Sequence, residues 1–177
     1  ASDDLPHPNA ALWHDDHIKD QALMTQAVHD HGALAGVELW FGGASSANHY
    51  TRETACDVAS IPNTAGHPYQ PRSMGKSDIR EFRRWHREAA LRAKEADFDI
   101  VYVYATHGYL LSHFLSAQTN LRTDEYGGSM ENRTRLLREL IEETKEAVGD
   151  RCAVAVRYSV GGDDGETSQL TAERRDR

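Results

Sequence analysis

The sequence predicts an α/β fold built on a parallel sheet. Helical periods alternate along the chain with short apolar runs. Those runs are nearly continuous rather than alternating, which is how strands covered on both faces read. The long aperiodic stretches follow the apolar runs and not the helices. In an eight-stranded (β/α) barrel, that is the end where catalytic loops gather.

The elements come in order. Residues 14–31 predict a helix, with Asp15 and Asp16 favouring its start and Gly32 its stop. Ile18, Met24 and Val28 form its apolar side. The run Ala33-Leu34-Ala35-Gly36-Val37-Glu38-Leu39-Trp40 predicts a strand buried on both faces. Ser77 is a candidate N-cap for the next helix. Ile79, Phe82, His86, Ala89, Ala90 and Ala93 repeat at helical spacing, and His86 reads as a satisfied core histidine. The strand Ile100–Tyr104 follows, rich in β-branched and aromatic residues. A third helix is predicted from Ser129, with Leu136, Leu137, Leu140, Ile141, Thr144, Ala147 and Val148 as its buried stripe and Gly149 as its stop. Cys152–Arg157 is the third strand, and Thr171 would cap a fourth helix that ends after a turn. Three strands make a poor independent sheet. The expectation is therefore a partial TIM barrel: residues 1–177 as one segment of a larger barrel of about 250 residues.

Composition narrows the function. The chain has 177 residues, 20 Lys and Arg against 28 Asp and Glu, and a net charge of −8. Acidity argues against nucleic acid or an anionic membrane surface as partner. Mean hydropathy is −0.67, and no apolar run approaches the roughly 18 residues of a membrane span. Two cysteines, Cys56 and Cys152, form neither a metal pattern nor a disulfide framework. With no secretion leader at Ala1-Ser2-Asp3-Asp4, the expected compartment is the cytoplasm. The Arg80–Arg87 run, interleaved with Glu81 and Glu88, reads as a solvated helix face. Asp163-Asp164-Gly165 reads as a turn.

The aperiodic stretches 41–76 and 105–128 exceed the roughly 15 residues usual for a connection without function. At the strand ends stand Glu38, then Tyr104 with His107, then Arg157. In a barrel these would share one mouth. Each alone has a plainer reading: a solvated charge for Glu38 and Arg157, a core phenol for Tyr104, a loop-backbone bond for His107. Together they form a candidate catalytic set, and not a metal site, because no second histidine sits at ligand spacing.

The stretch His107-Gly108-Tyr109-Leu110-Leu111, Phe114-Leu115-Ser116, Asn120, Arg122-Thr123-Asp124-Glu125-Tyr126-Gly127-Gly128-Ser129 and Asn132-Arg133 resembles the signature of the Old Yellow Enzyme family of FMN-dependent oxidoreductases. The runs 33–44 and 98–107 are similar to its trimethylamine, dimethylamine and histamine dehydrogenase branch, where ordinary ene-reductases carry histidine in place of Tyr104. The resemblance implies strands three to five of an FMN-binding barrel. It implies Tyr104 and His107 as catalytic residues, working with an aspartate from a later strand. It implies Arg157 at the flavin pyrimidine end and Glu38 beside the flavin, accepting its N3–H. The activity implied is C–H oxidation next to an amine nitrogen, giving an imine that hydrolyses to an aldehyde and a smaller amine. A covalent flavin-linking cysteine and a 4Fe-4S cluster would lie in the part outside this chain. An electron-transfer flavoprotein and self-association are the implied partners. His107 as imidazolium would favour a Tyr104 phenolate. Tyr126-Gly127-Gly128-Ser129 reads as structural, a tight turn followed by a cap, with Arg122, Asp124 and Arg133 bracing the loop by ion pairs. Two alternatives stay open: an NAD(P)H-dependent ene-reductase, and a non-catalytic barrel kept as a scaffold. The isolated segment is expected to be inactive.

Overall fold

The computed structural model describes residues 10–46, 48, 52–62 and 70–159. Thr171 and the Asp163-Asp164-Gly165 turn lie outside them. The order is α1 (Asp16–His29), β1 (Gly36–Leu39), β2 (Cys56–Asp57), β3 (Arg72–Ser73), α2 (Lys76–Glu95), β4 (Ile100–Ala105), α3 (Leu110–Leu115), α4 (Met130–Arg133), α5 (Arg135–Val148) and β5 (Ala153–Tyr158). The main sheet is parallel, in the order β1-β4-β5, with Glu38 opposite Tyr102 and Tyr104 opposite Arg157. A chain that runs strand, helix, next strand along one parallel sheet is a piece of a (β/α) barrel wall.

Among the described residues, helices cover one face of this sheet. Val101, Val103 and Ala105 are buried beneath α2 and α5, with Phe98, Ala90, Ala93, Leu136 and Leu140 around them. The other face carries Gly36, Glu38, Tyr102, Tyr104, Ala153, Ala155 and Arg157, because parallel in-register partners share a side. The two-sided burial predicted for the strands therefore fails: on the other face of β4 Tyr104 is buried but Ile100 and Tyr102 only half so, and β1 and β5, the outer strands, are more open still. Their apolar composition suits neighbours that would lie to either side.

α1 departs from its predicted apolar side. Met24 is 41% exposed, and the one buried residue is Thr25. Its hydroxyl donates to Ala96 O at 2.6 Å, pinning the helix by a hydrogen bond where packing is thin. Arg92 adds a bond to Leu12 O and an ion pair with Asp15. His29 sits at the helix end but is held by Asp99, Nε2 to Oδ2 at 2.8 Å, beneath the strands.

α2 starts two residues earlier than Ser77 implies. Gly75 is the N-cap, and its N–H is accepted by Asp78 at 2.8 Å, so Ser77 lies inside the first turn. Its buried stripe is Ile79, Phe82, His86, Ala90 and Ala93, as the spacing predicts. The arginine run is not uniformly solvated. Arg84 pairs with Glu81 and Glu88, but Arg83 reaches Glu139 and Glu143 on α5. His86 is buried and only half satisfied: Nδ1 lies 3.4 Å from Thr144 Oγ1, while Nε2 has no partner.

The helix from Ser129 is two helices. Thr134 turns its hydroxyl back to Met130 O and Glu131 O, competing with the ladder, and α5 begins afresh at Arg135. Gly149 ends it at φ +58°. The family loop has the expected structural role. A Cβ on Gly127 would lie 2.2 Å from Arg122 O, Ser129 Oγ accepts from Asn132 N, and Arg122 pairs with Asp124. Arg133 braces it through Leu115 O and Gly128 O, two carbonyls rather than an acid. Both cysteines are free thiols. No helix among the described residues is long and apolar enough to cross a membrane.

Candidate active site at the strand ends

The two long connections are ordered in their described parts. Phe41, Val58, Met74, Leu110, Phe114 and Tyr126 all enter the core cluster that also holds Val103, Ala105, Leu136 and Leu140. A 3₁₀ turn at Gly43–Ser45, the short β2–β3 pair and α3 supply their backbone bonds. This packing fixes the loop wall around the mouth.

All four predicted residues meet there. Arg157 Nη1 donates to Glu38 Oε1 at 2.8 Å and Oε2 at 3.1 Å, across the full width of the sheet. Its guanidinium carbon lies 5.5 Å from the centre of the Tyr104 ring. Tyr104 Oη is hydrogen-bonded to His107 Nδ1. His107 adopts φ +58°, an uncommon conformation for a non-glycine residue, and it turns the ring back over the strand it follows. Sequence spacing places Tyr104 and His107 near each other; the left-handed turn makes them touch.

The electrostatics follow from burial. Tyr104 is 8% exposed. Burial pushes its phenol above the ordinary value, Arg157 opposes the shift and Glu38 adds to it. Burial thus favours the neutral phenol over the phenolate. Donor and acceptor in its bond to His107 Nδ1 are set by the imidazole tautomer. Arg157 is held firmly cationic by Glu38, through the hydrogen bond first and charge second.

Some residues escaped sequence reasoning. Tyr109 lies tilted against Trp40, ring centroids 4.9 Å apart, and 5.8 Å from Tyr104, extending the aromatic wall. Asp57 is 2% exposed and accepts from Ala44 N, Val58 N and His113 Nδ1. Its signal was present as a charge inside the apolar run Ala55-Cys56-Asp57-Val58-Ala59. Among the described residues, no group of three or more His, Cys, Asp or Glu is placed to hold a metal.

A barrel wall with an ionisable cluster at its strand ends defines a class, the (β/α)-barrel enzymes. The family comes from comparison. The model of the NADH:flavin oxidoreductase / NADH oxidase family matches residues 3–174. The chain belongs to this FMN-binding, Old Yellow Enzyme-like family. It is 47% identical to the 6-hydroxypseudooxynicotine amine oxidase of Pseudomonas geniculata N1, with a TM-score of 0.91 over 98% of this chain and 27% of that one. Histamine dehydrogenase from Rhizobium sp. 4-9 is 39% identical, with a TM-score of 0.88, covering 97% of this chain and 26% of the other. NADPH dehydrogenase of Bacillus subtilis is 39% identical over 76% of this chain and 39% of its own length. Dimethylamine dehydrogenase of Hyphomicrobium sp. is 34% identical over 90% of this chain and 23% of its own. The chain thus spans between about a quarter and two fifths of these relatives.

The cofactor of this family can be tested against the donors present. Arg157 offers guanidinium donors and Glu38 carboxylate acceptors, side by side on the uncovered face. Small residues, Gly36, Ala153 and Ala155, share that face. This set fits the pyrimidine end of a flavin, which presents carbonyl acceptors and an N–H donor.

Proposed function

We propose that this chain is strands three to five of a complete FMN-binding barrel that oxidises a small amine at the carbon next to nitrogen. The observation that carries the reading is the hydrogen bond between Tyr104 and His107 at the end of β4. The 47% and 39% identities to two amine-acting enzymes support it.

Arg157 and Glu38 would hold the flavin at its pyrimidine end. Bound FMN supplies the two-electron acceptor. The remaining work belongs to the chain. An amine arrives largely as ammonium and must lose a proton before its α-carbon can be oxidised. Tyr104 Oη takes that proton while its own passes to His107 Nδ1, so the phenol is a relay and the imidazole the base. The raised phenol pKa suits a relay, since Tyr104 carries no charge between turnovers. Trp40 and Tyr109 present ring faces that attract a cation. A 4Fe-4S cluster, an electron-transfer flavoprotein partner and self-association belong to this reading and to polypeptide outside this chain.

The 38–41% identities to bacillar NADPH dehydrogenases favour a second reading, reduction of a conjugated carbonyl at the expense of NADPH. Anaerobic mixing of the full-length protein with dimethylamine, histamine or NADPH separates the two. Loss of visible flavin absorbance with an amine and not with NADPH is expected. The reverse result establishes the reductase, and a colourless protein that binds no added FMN points to the scaffold. Tyr104→Phe should slow reduction by amine about 10²–10⁴-fold, the usual worth of a positioned acid–base group.

A further inference from the structure

Glu38 and Arg157 stand near the ends of β1 and β5, with β4 between them. Register puts both on the face away from α2 and α5. Glu38 is opposite Tyr102, Tyr102 is opposite Ala155, and Arg157, two residues further along β5, is opposite Tyr104. Carboxylate and guanidinium therefore meet over β4. The bond uses one guanidinium nitrogen, Nη1, which donates to Oε1 at 2.8 Å and Oε2 at 3.1 Å. A guanidinium carries five N–H donors over three nitrogens, and a carboxylate has about four acceptor sites. Each partner can serve a further group without releasing the other.

A neutral amide oxygen at position 38 would accept a flavin N–H as well as a carboxylate does. What Glu38 adds is a negative charge. The hydrogen bond between them holds Arg157 firmly cationic, so the two charges coexist. Both act on their neighbour Tyr104, whose ring centre lies 5.5 Å from the guanidinium carbon. Burial pushes its phenol up most, and then Arg157 pulls it down while Glu38 pushes it up. The same opposed signs act on any group on this face whose charge changes.

We propose that Glu38 sets the flavin's reduction potential: its carboxylate tempers the cation of Arg157, so that the reduced ring is held less tightly than a lone guanidinium would hold it. This rests on the placement of the flavin's pyrimidine end at this pair. Two electrons taken up with one proton leave one negative charge on the ring. Arg157 favours that charge and Glu38 opposes it, and exclusion of water by a bound ring strengthens both effects. The pair thus balances two demands on one site. Arg157 makes the electrons easier to accept from substrate, and Glu38 makes them easier to pass on.

The test uses the full-length protein loaded with FMN and measures its two-electron potential against reference dyes. Glu38→Gln keeps an acceptor oxygen and removes the charge. Glu38→Asp keeps the charge. The glutamine variant should favour reduced over oxidised flavin about tenfold more than wild type, a rise of about 30 mV for a two-electron couple. The aspartate variant should stay near wild type, which separates charge from a folding defect. Tyr104 gives a second readout, followed by NMR of labelled tyrosine and assigned with Tyr104→Phe. Its phenol should titrate lower in Glu38→Gln, with Arg157, His107 and Tyr109 still facing it. An unchanged or lowered potential in Glu38→Gln overturns the proposal; if Arg157→Gln still lowers it, the flavin placement survives. If neither substitution moves the potential or the FMN affinity, that placement falls as well. A tenfold shift in a protein whose flavin no amine reduces leaves the proposal standing and removes the amine reading.

Discussion

His86 makes the stability of this wall depend on acid. The imidazole is enclosed between α2 and α5, its Nε2 has no partner, and burial lowers its pKa from 6.5 to about 4. The charged form is therefore disfavoured in the folded state. The unfolded chain takes up a proton near pH 6.5 and the folded chain does not, so stability is full above that value. It is lost progressively as pH falls from 6.5 to about 4. At about 1.36 kcal/mol per pH unit, the loss is on the order of 3 kcal/mol. His86→Leu removes the titrating group together with the unpaired nitrogen. Urea unfolding of wild-type and variant full-length protein, measured from pH 8 to pH 4, reads the difference. The variant should match or exceed the wild type at pH 8 and lose about 3 kcal/mol less by pH 4. Parallel curves for the two proteins would refute the reasoning, since they would mean that His86 reaches water or a partner in the folded state.

Other outcomes follow from single contacts. Thr25→Val keeps the shape but leaves Ala96 O without its buried donor, and should cost about 1–3 kcal/mol in urea unfolding. Gly127→Ala puts a Cβ 2.2 Å from Arg122 O; since the obstacle is backbone, the loop must move, with a cost of at least about 1–3 kcal/mol and new proteolytic cleavage between Arg122 and Ser129. His29 has the opposite pH sense to His86: its hydrogen bond to Asp99 raises its pKa, so its contribution is present below 6.5 and fades as pH rises through the folded value. The His29 ring titration, followed by NMR, should lie above that of an exposed histidine, and Asp99→Asn should bring it back.

Much of this chain could be read without coordinates, and the reason is local. The α2 and α5 stripes were legible because burial on a helix repeats at a fixed spacing. The family loop was legible because its glycines and Ser129 answer to backbone sterics and capping. The order of elements alone placed Glu38, Tyr104, His107 and Arg157 at strand ends. Errors came where tertiary contacts override local pattern. Met24 faces outward because Thr25, one residue on, finds Ala96 O. The cap moved from Ser77 to Gly75 because Asp78 serves the earlier N–H and also pairs with Arg72. Only the folded sheet decided that Glu38 and Arg157, 119 positions apart, neutralise each other. Only the left-handed turn at His107 brought its imidazole to Tyr104. The Asp57–His113 pair joins two connections that have no period at all. Periodicity records which face a residue shows to a core; it does not record which distant side chain will be waiting there, and at this mouth the chemistry lies in those meetings.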